Sequence, residues 1–173
     1  TLCIFSLNYN ELKIDFNKIK NFKKINLLIY ELMHELSLQV IKDGEGISKL
    51  IKVNVKKCKS INQAKDISFS IINSPLVKTA IAGSDANWGR VIMAIGKSKK
   101  LINQSKIIIH FGNILVCKNG SKNTKLNLLK LNKYMKNKII EINVNIQNGD
   151  KSYTAYGNDL TYEYIRINAD YRS

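Results

Sequence analysis

The sequence predicts an α+β fold, a layered mixed β-sheet with packed helices, on three observations. Stretches whose apolar residues alternate stand beside stretches with helical spacing. Their order, helix, strand, helix, helix, strands, helix, strands, shows no strict βαβ repetition. No internal repeat or low-complexity linker interrupts them, so residues 1–173 read as a single domain.

Each element has its own signal. From Asn21 to Lys42, Ile25, Leu28, Leu32, Leu36 and Val40 recur every three or four residues, which places them on one face of a helix closed by Gly44. Ser48 to Cys58 then alternates, with Ile51, Val53 and Val55 on one side and Lys52, Asn54 and Lys56 on the other, as in a half-buried strand. Ala64, Ile67, Ile71 and Ile72 mark a helix between Ile61 and Asn73, which Pro75 stops or redirects. A short helix follows from about Trp88 to Ile95. Ile107–Phe111 and Ile114–Cys117, separated by Gly112 and Asn113, read as a hairpin, and Leu126–Met135 as a helix. Finally, Lys138–Gln147 alternates Ile140, Ile142, Val144 and Ile146 with polar residues. The turn residues Asn148 and Gly149 lead from it into Lys151–Tyr156, which predicts a second hairpin.

Composition narrows the function classes. A chain of 173 residues, 45% of them hydrophobic, can bury a sizeable core. It has no apolar run near the roughly 20 residues needed to cross a bilayer and no leader-like start, so a cytoplasmic protein is expected. Cys3, Cys58 and Cys117 form no CxxC pair and are expected to be reduced fillers, while His34 and His110 stand apart without metal-ligand spacing. Neither a metal nor a cofactor is implied. The net charge of +15 raises a basic nucleic-acid-binding module as one reading. Because the charge is mostly Lys spread along the whole chain, it describes a compositional bias better than a binding stripe, and no nucleic-acid partner is expected.

Three places carry chemistry. Thr1 precedes the apolar run Leu2, Cys3, Ile4, Phe5 with no methionine before it. Either a leader was trimmed, or a precursor cleaves there and leaves a hydroxyl nucleophile beside its own α-amine, a base titrating at roughly 7.7–8.0. Asp43-Gly44-Glu45-Gly46 is either a solvated turn or a place where glycines admit a ligand and a carboxylate orients a cationic group. Ser74-Pro75-Leu76-Val77-Lys78-Thr79-Ala80 with Gly83, Asp85, Asn87, Trp88, Gly89 and Arg90 forms the third, where the lone Trp reads as a packed corner.

Taken in order, Thr1-Leu2-Cys3, DGEG at Asp43–Gly46 with Lys49, SPLVKTAIAG at Ser74–Gly83, DANWGR at Asp85–Arg90, AIGKS at Ala94–Ser98 and DLTYEYIRINADYRS at Asp159–Ser173 resemble the β chain of the ornithine acetyltransferase / glutamate N-acetyltransferase family of arginine biosynthesis. The resemblance implies a fold similar to that family and to the N-terminal-nucleophile aminopeptidases (DmpA-like). It implies a precursor that cleaves itself before Thr1, and an α chain from the same precursor that stays bound in an α2β2 heterotetramer. It further implies transfer of acetyl from N2-acetylornithine to glutamate through acetyl-Thr1, with acetyl-CoA left open as a second donor and no cofactor. Matching residue by residue, catalysis falls on Thr1 and substrate binding on Thr1, Glu45, Asn168 and Ser173. The chain departs from the family between Phe5 and Lys42, where an Asp-Gly-Asp segment followed by Ser-Thr-Asn-Asp has no counterpart. The enzyme rival is an N-terminal-nucleophile aminopeptidase, in which water takes the acyl group and the NADYRS ending is not expected.

Overall fold

The computed structural model describes residues 22–98 and 100–170. The chain divides into two units, with the boundary after Ser37. In the first, the described residues are the helical stretch Phe22–Ser37 of α1 (Phe22–Lys42), where Tyr30 and His34 stack with centroids 6.2 Å apart. The helical period is as expected, yet α1 buries none of its side chains, and Leu28 and Leu32 are more than half exposed.

The second unit begins with the last turn of α1 and carries β1 (Leu50–Cys58), α2 (Ile61–Ile72), α3 (Pro75–Ala82) and α4 (Trp88–Lys97). A 3-10 turn precedes β2 (Ile108–Phe111), β3 (Ile114–Lys118) and β4 (Ser121–Lys122). Then come α5 (Leu128–Met135), β5 (Ile139–Asn145), β6 (Lys151–Asn158) and α6 (Tyr162–Ala169).

Short polar side chains start the helices by accepting the orphan N–H groups of the first turn. Ser60 accepts from Gln63 N, and the Gln63 side chain reaches back to Lys59 N at 2.8 Å, a reciprocal cap. Ser74 caps α3 with Pro75 at its first position, so Pro75 ends one helix and opens the next, a helix the sequence reading did not anticipate. Asn87, Asn127 and Thr161 cap α4, α5 and α6 in the same manner.

The strands form one mixed six-stranded sheet in the order β4-β3-β2-β5-β1-β6, which agrees with the predicted α+β class. The β2–β3 hairpin forms where the sequence placed it. The second expected hairpin does not. β1 lies between β5 and β6, parallel to β5 and antiparallel to β6, with Val53 paired to Ile142 on one side and Ala155 on the other. The connection from β5 to β6 passes across the end of β1: Ile146 N donates to Lys56 O at 3.1 Å and Asn148 N to Lys57 O at 2.8 Å. A Cβ at Gly149 would stand 2.3 Å from Cys58 O. The turn residues thus wrap a third strand and do not join two neighbours, because β1 has two edges to pair and buries its alternate residues completely.

One face of the sheet is the core. Ile51, Val53, Val55, Ile109, Phe111, Ile140, Ile142 and Val144 are fully or almost fully buried with Ala64, Ile67 and Ile71 of α2 and Val91, Ala94 and Ile95 of α4. Full burial of one such aliphatic side chain is worth about 1.5–3 kcal/mol. α2 lies against β1 and β6, with α4 and α3 beside it. The opposite face is polar: Lys52 pairs with Glu141 at 3.0 Å, Asn54 Nδ2 donates to Asn143 Oδ1 at 2.8 Å, and Thr154 Oγ1 donates to Asn54 Oδ1 at 2.9 Å.

Candidate functional site

The Asp43–Gly46 turn follows α1, and its two glycines sit at different close approaches, backbone at Gly46 and a side-chain amide at Gly44. Gly46 has φ +62°, and a Cβ there would lie 2.4 Å from Tyr164 N and 2.7 Å from Tyr164 Cα. Only a glycine lets this turn rest on the backbone of α6. At Gly44 a Cβ would meet Asn158 Nδ2 at 2.7 Å, the same amide that donates to Ile41 O at 3.3 Å.

The junction between β6 and α6 holds the turn from three successive points. Asn158 takes its start, as above. Asp159, 2% exposed, accepts from Ser48 N through Oδ1 at 2.9 Å and from the Ser48 hydroxyl through Oδ2. Thr161 donates its hydroxyl to Gly46 O while accepting from Tyr164 N at 3.2 Å.

Lys49 ties the same junction to two more helices. Its Nζ donates to Ile81 O at 2.9 Å near the end of α3, to Ser84 Oγ at 2.6 Å and to Met135 O at 2.8 Å in the last residue of α5. Three donors meet three acceptors, and the cation sits where two helices expose their terminal carbonyls. Burial pulls the Lys49 pKa below the usual lysine range, with the nearby Asp159 carboxylate opposing the shift and Lys138 adding to it.

These contacts bring three of the sequence motifs together: DGEG, SPLVKTAIAG as helix α3, and DLTYEY at the start of α6. Beside them a cleft of about 440 Å³ opens between α3 and α6, lined by Thr79, Ala82, Gly83, Leu160, Thr161, Tyr162 and Ile165. That size suits a small metabolite. Arg90 of α4 reaches its rim, donating to Leu76 O at 2.9 Å and Thr79 Oγ1 at 3.2 Å. A wider depression of about 690 Å³ on the polar sheet face, lined by Lys52, His110, Glu141 and Tyr156 among others, contains none of the motif residues.

Of the expected site residues, Glu45 is exposed at the tip of the clasped turn, its backbone neighbours held and its carboxylate on the surface. Asn168 is exposed on α6, one helical turn beyond Tyr164, to whose carbonyl its Nδ2 donates at 2.9 Å. Thr1 and Ser173 lie outside the described residues. The structure therefore places Glu45 and Asn168 on two segments that touch through Gly46 and Tyr164. Neither lines the α3–α6 cleft itself.

Other motif residues are structural. Trp88 packs against the core at the start of α4, the corner the sequence suggested, and Ala94 and Ile95 belong to the core. Cys58 and Cys117 are buried free thiols, and burial pushes Cys58 up to about 11, so both act as apolar fillers. Cys3 lies outside the described residues. Burial also lowers the pKa of His110. Among the described residues no group of three His, Cys, Asp or Glu side chains could hold a metal ion, and no helix is long and apolar enough to cross a membrane. The sequence reading missed Ser48, Asp159 and Thr161, whose partners lie more than a hundred residues away in the chain; only the presence of Asp159 and Thr161 inside a quoted motif marked them.

A model of the ArgJ family matches residues 3–173. The chain belongs to the ArgJ family. Relatives include the arginine biosynthesis bifunctional protein ArgJ of Bartonella henselae, 49% identical over 142 residues covering 82% of this chain and 35% of that protein. The ArgJ protein of Rhizobium meliloti is 45% identical over 143 residues, covering 83% and 35%. The crystal structure of ArgJ from Bacillus halodurans superposes with a TM-score of 0.83 at 37% identity, covering 88% of this chain and 71% of that one. The chain thus spans about a third of the length of the curated ArgJ relatives it matches, 35% in the two compared.

Proposed function

We propose that this chain is the β chain of an ArgJ acetyltransferase that moves acetyl from N2-acetylornithine to glutamate in arginine biosynthesis. Its partner is the α chain of the same precursor in an α2β2 heterotetramer in the cytoplasm. Membership of the ArgJ family supports the reaction. The observation that carries the site is the contact of Gly46 with the Tyr164 backbone, which brings the Glu45 turn against the helix that bears Asn168.

In this reading cleavage before Thr1 frees its α-amine, which takes the proton from the Thr1 hydroxyl. Thr1 Oγ bonds to the acetyl carbon of N2-acetylornithine, the amide C–N bond breaks, and the released amine of ornithine takes the proton. The amine of glutamate then attacks acetyl-Thr1, forms N-acetylglutamate and returns the proton to Thr1 Oγ. Glu45 pairs with a substrate ammonium group, while Asn168 and the Ser173 hydroxyl hydrogen-bond a substrate carboxylate. Donors for the oxyanion come from the α chain. Acetyl-CoA as a second donor to glutamate enters at the same acetyl-Thr1. No cofactor takes part.

A ping-pong path requires half-reactions. The complex with its α chain, given N2-acetylornithine and labelled ornithine but no glutamate, should build label into N2-acetylornithine. Absence of exchange in a complex that still transfers acetyl would exclude the acetyl-enzyme route. Hydrolysis to acetate with no transfer to glutamate would favour the aminopeptidase rival.

A further inference from the structure

We propose that Asp159 is a positioning residue for this site, clasping the turn that presents Glu45 to the C-terminal segment that presents Asn168. The inference rests on the substrate-binding reading above and adds a residue to which that reading gives no role. The carboxylate is buried, and both of its oxygens are engaged by one residue, Ser48, through N at 2.9 Å and through the hydroxyl. Its own N–H donates to Lys49 O at 3.1 Å, which closes a two-way link between the chain leaving the turn and the chain leaving β6.

Asp159 acts in company. Asn158 holds Ile41 O before the turn and Thr161 holds Gly46 O within it, so residues 158, 159 and 161 grip residues 41, 48 and 46 respectively. The ammonium of Lys49 supplies a compensating charge for the buried carboxylate and spends its donors on the ends of α3 and α5. Within this frame Glu45 is exposed and flanked by the two glycines, with Asp43 exposed before it. An α-amino acid ligand needs its ammonium and carboxylate met at a fixed separation, and a displacement of about 1 Å in a positioned group can cost on the order of a hundredfold. The link that fixes that separation here is Ser48–Asp159.

The test uses the full precursor, cleaved and assembled, with Asp159→Ala, Asp159→Asn and Ser48→Ala. Two readouts are needed: KM and kcat for N2-acetylornithine and glutamate, and amide hydrogen exchange over residues 41–48 and 160–168. Asp159→Ala should raise both KM values roughly tenfold with kcat little changed, and exchange should rise in the two segments together while β1 and β5 stay protected. Asp159→Asn should restore most of the loss, because its amide can accept from Ser48 N and donate to the Ser48 hydroxyl. Ser48→Ala, which removes the hydroxyl contact to Oδ2 and keeps the backbone N–H contact to Oδ1, should show the same paired rise in weaker form and decides the matter if Asp159→Ala fails to fold. Exchange that rises in one segment only, or uniformly with KM unchanged, overturns the clasp. Exchange is read without turnover, so a wild-type complex that fails to transfer acetyl removes the substrate-binding reading, whereas uncoupled exchange in an active complex removes the clasp alone.

Discussion

At the scale of single residues, the site depends on one missing methyl group. Gly46→Ala would place a Cβ 2.4 Å from Tyr164 N at a backbone φ of +62°, so neither the turn nor α6 can stay where it is. We expect a loss of about 1–3 kcal/mol from the strained backbone, with more from the displaced helix, measured as a lowered denaturation midpoint. An unchanged midpoint would contradict the packing of the turn on α6. Glu45→Ala removes a surface carboxylate without touching the frame, so stability should hold. The KM for substrate should rise roughly 10- to 100-fold, the range expected for one charged hydrogen bond. Glu45 was singled out through the family resemblance, since the spacing of Asp43–Gly46 alone fits a solvated turn as well as a ligand-admitting one. Asp159 and Ser48 were not, since a buried carboxylate satisfied by a distant serine leaves no local pattern.

At the scale of elements, periodicity identified the strands and most helices but not which strands are neighbours. The alternation of β5 and the Asn148-Gly149 turn fit a hairpin as well as they fit the observed crossing over β1. What decides is that β1 fills the space between, with Asn54 opposite Asn143 on the parallel side. Asn54→Cys with Asn143→Cys should therefore cross-link on mild oxidation; in a β5–β6 hairpin β1 would not need to lie beside β5 and the pair would remain reduced. The helices α3 and α6 went unread for a related reason. Both lack the spaced apolar stripe that marks the equally short α5, and they are set by caps, Ser74 with Pro75 and Thr161, together with the partners they reach. α1 shows the converse: its stripe is plain in sequence, yet it buries none of its side chains.

At the scale of the whole molecule, composition set the class and little else. The +15 net charge is carried by lysines spread from Lys13 to Lys151, whereas three of the motifs meet around residues 41–49 and 158–164. The fold was readable because burial repeats along the chain. The site was readable only as motifs, because its geometry is made by contacts between segments more than a hundred residues apart and because the chain spans about a third of its curated ArgJ relatives. The central claim is that Thr1 carries the acetyl group, and intact-mass spectrometry of the complex after brief exposure to N2-acetylornithine tests it most directly. The account predicts one added acetyl group on this chain, mapped to Thr1, discharged by glutamate and absent in Thr1→Ala. An adduct on another residue, or none in a complex that transfers acetyl, would contradict it.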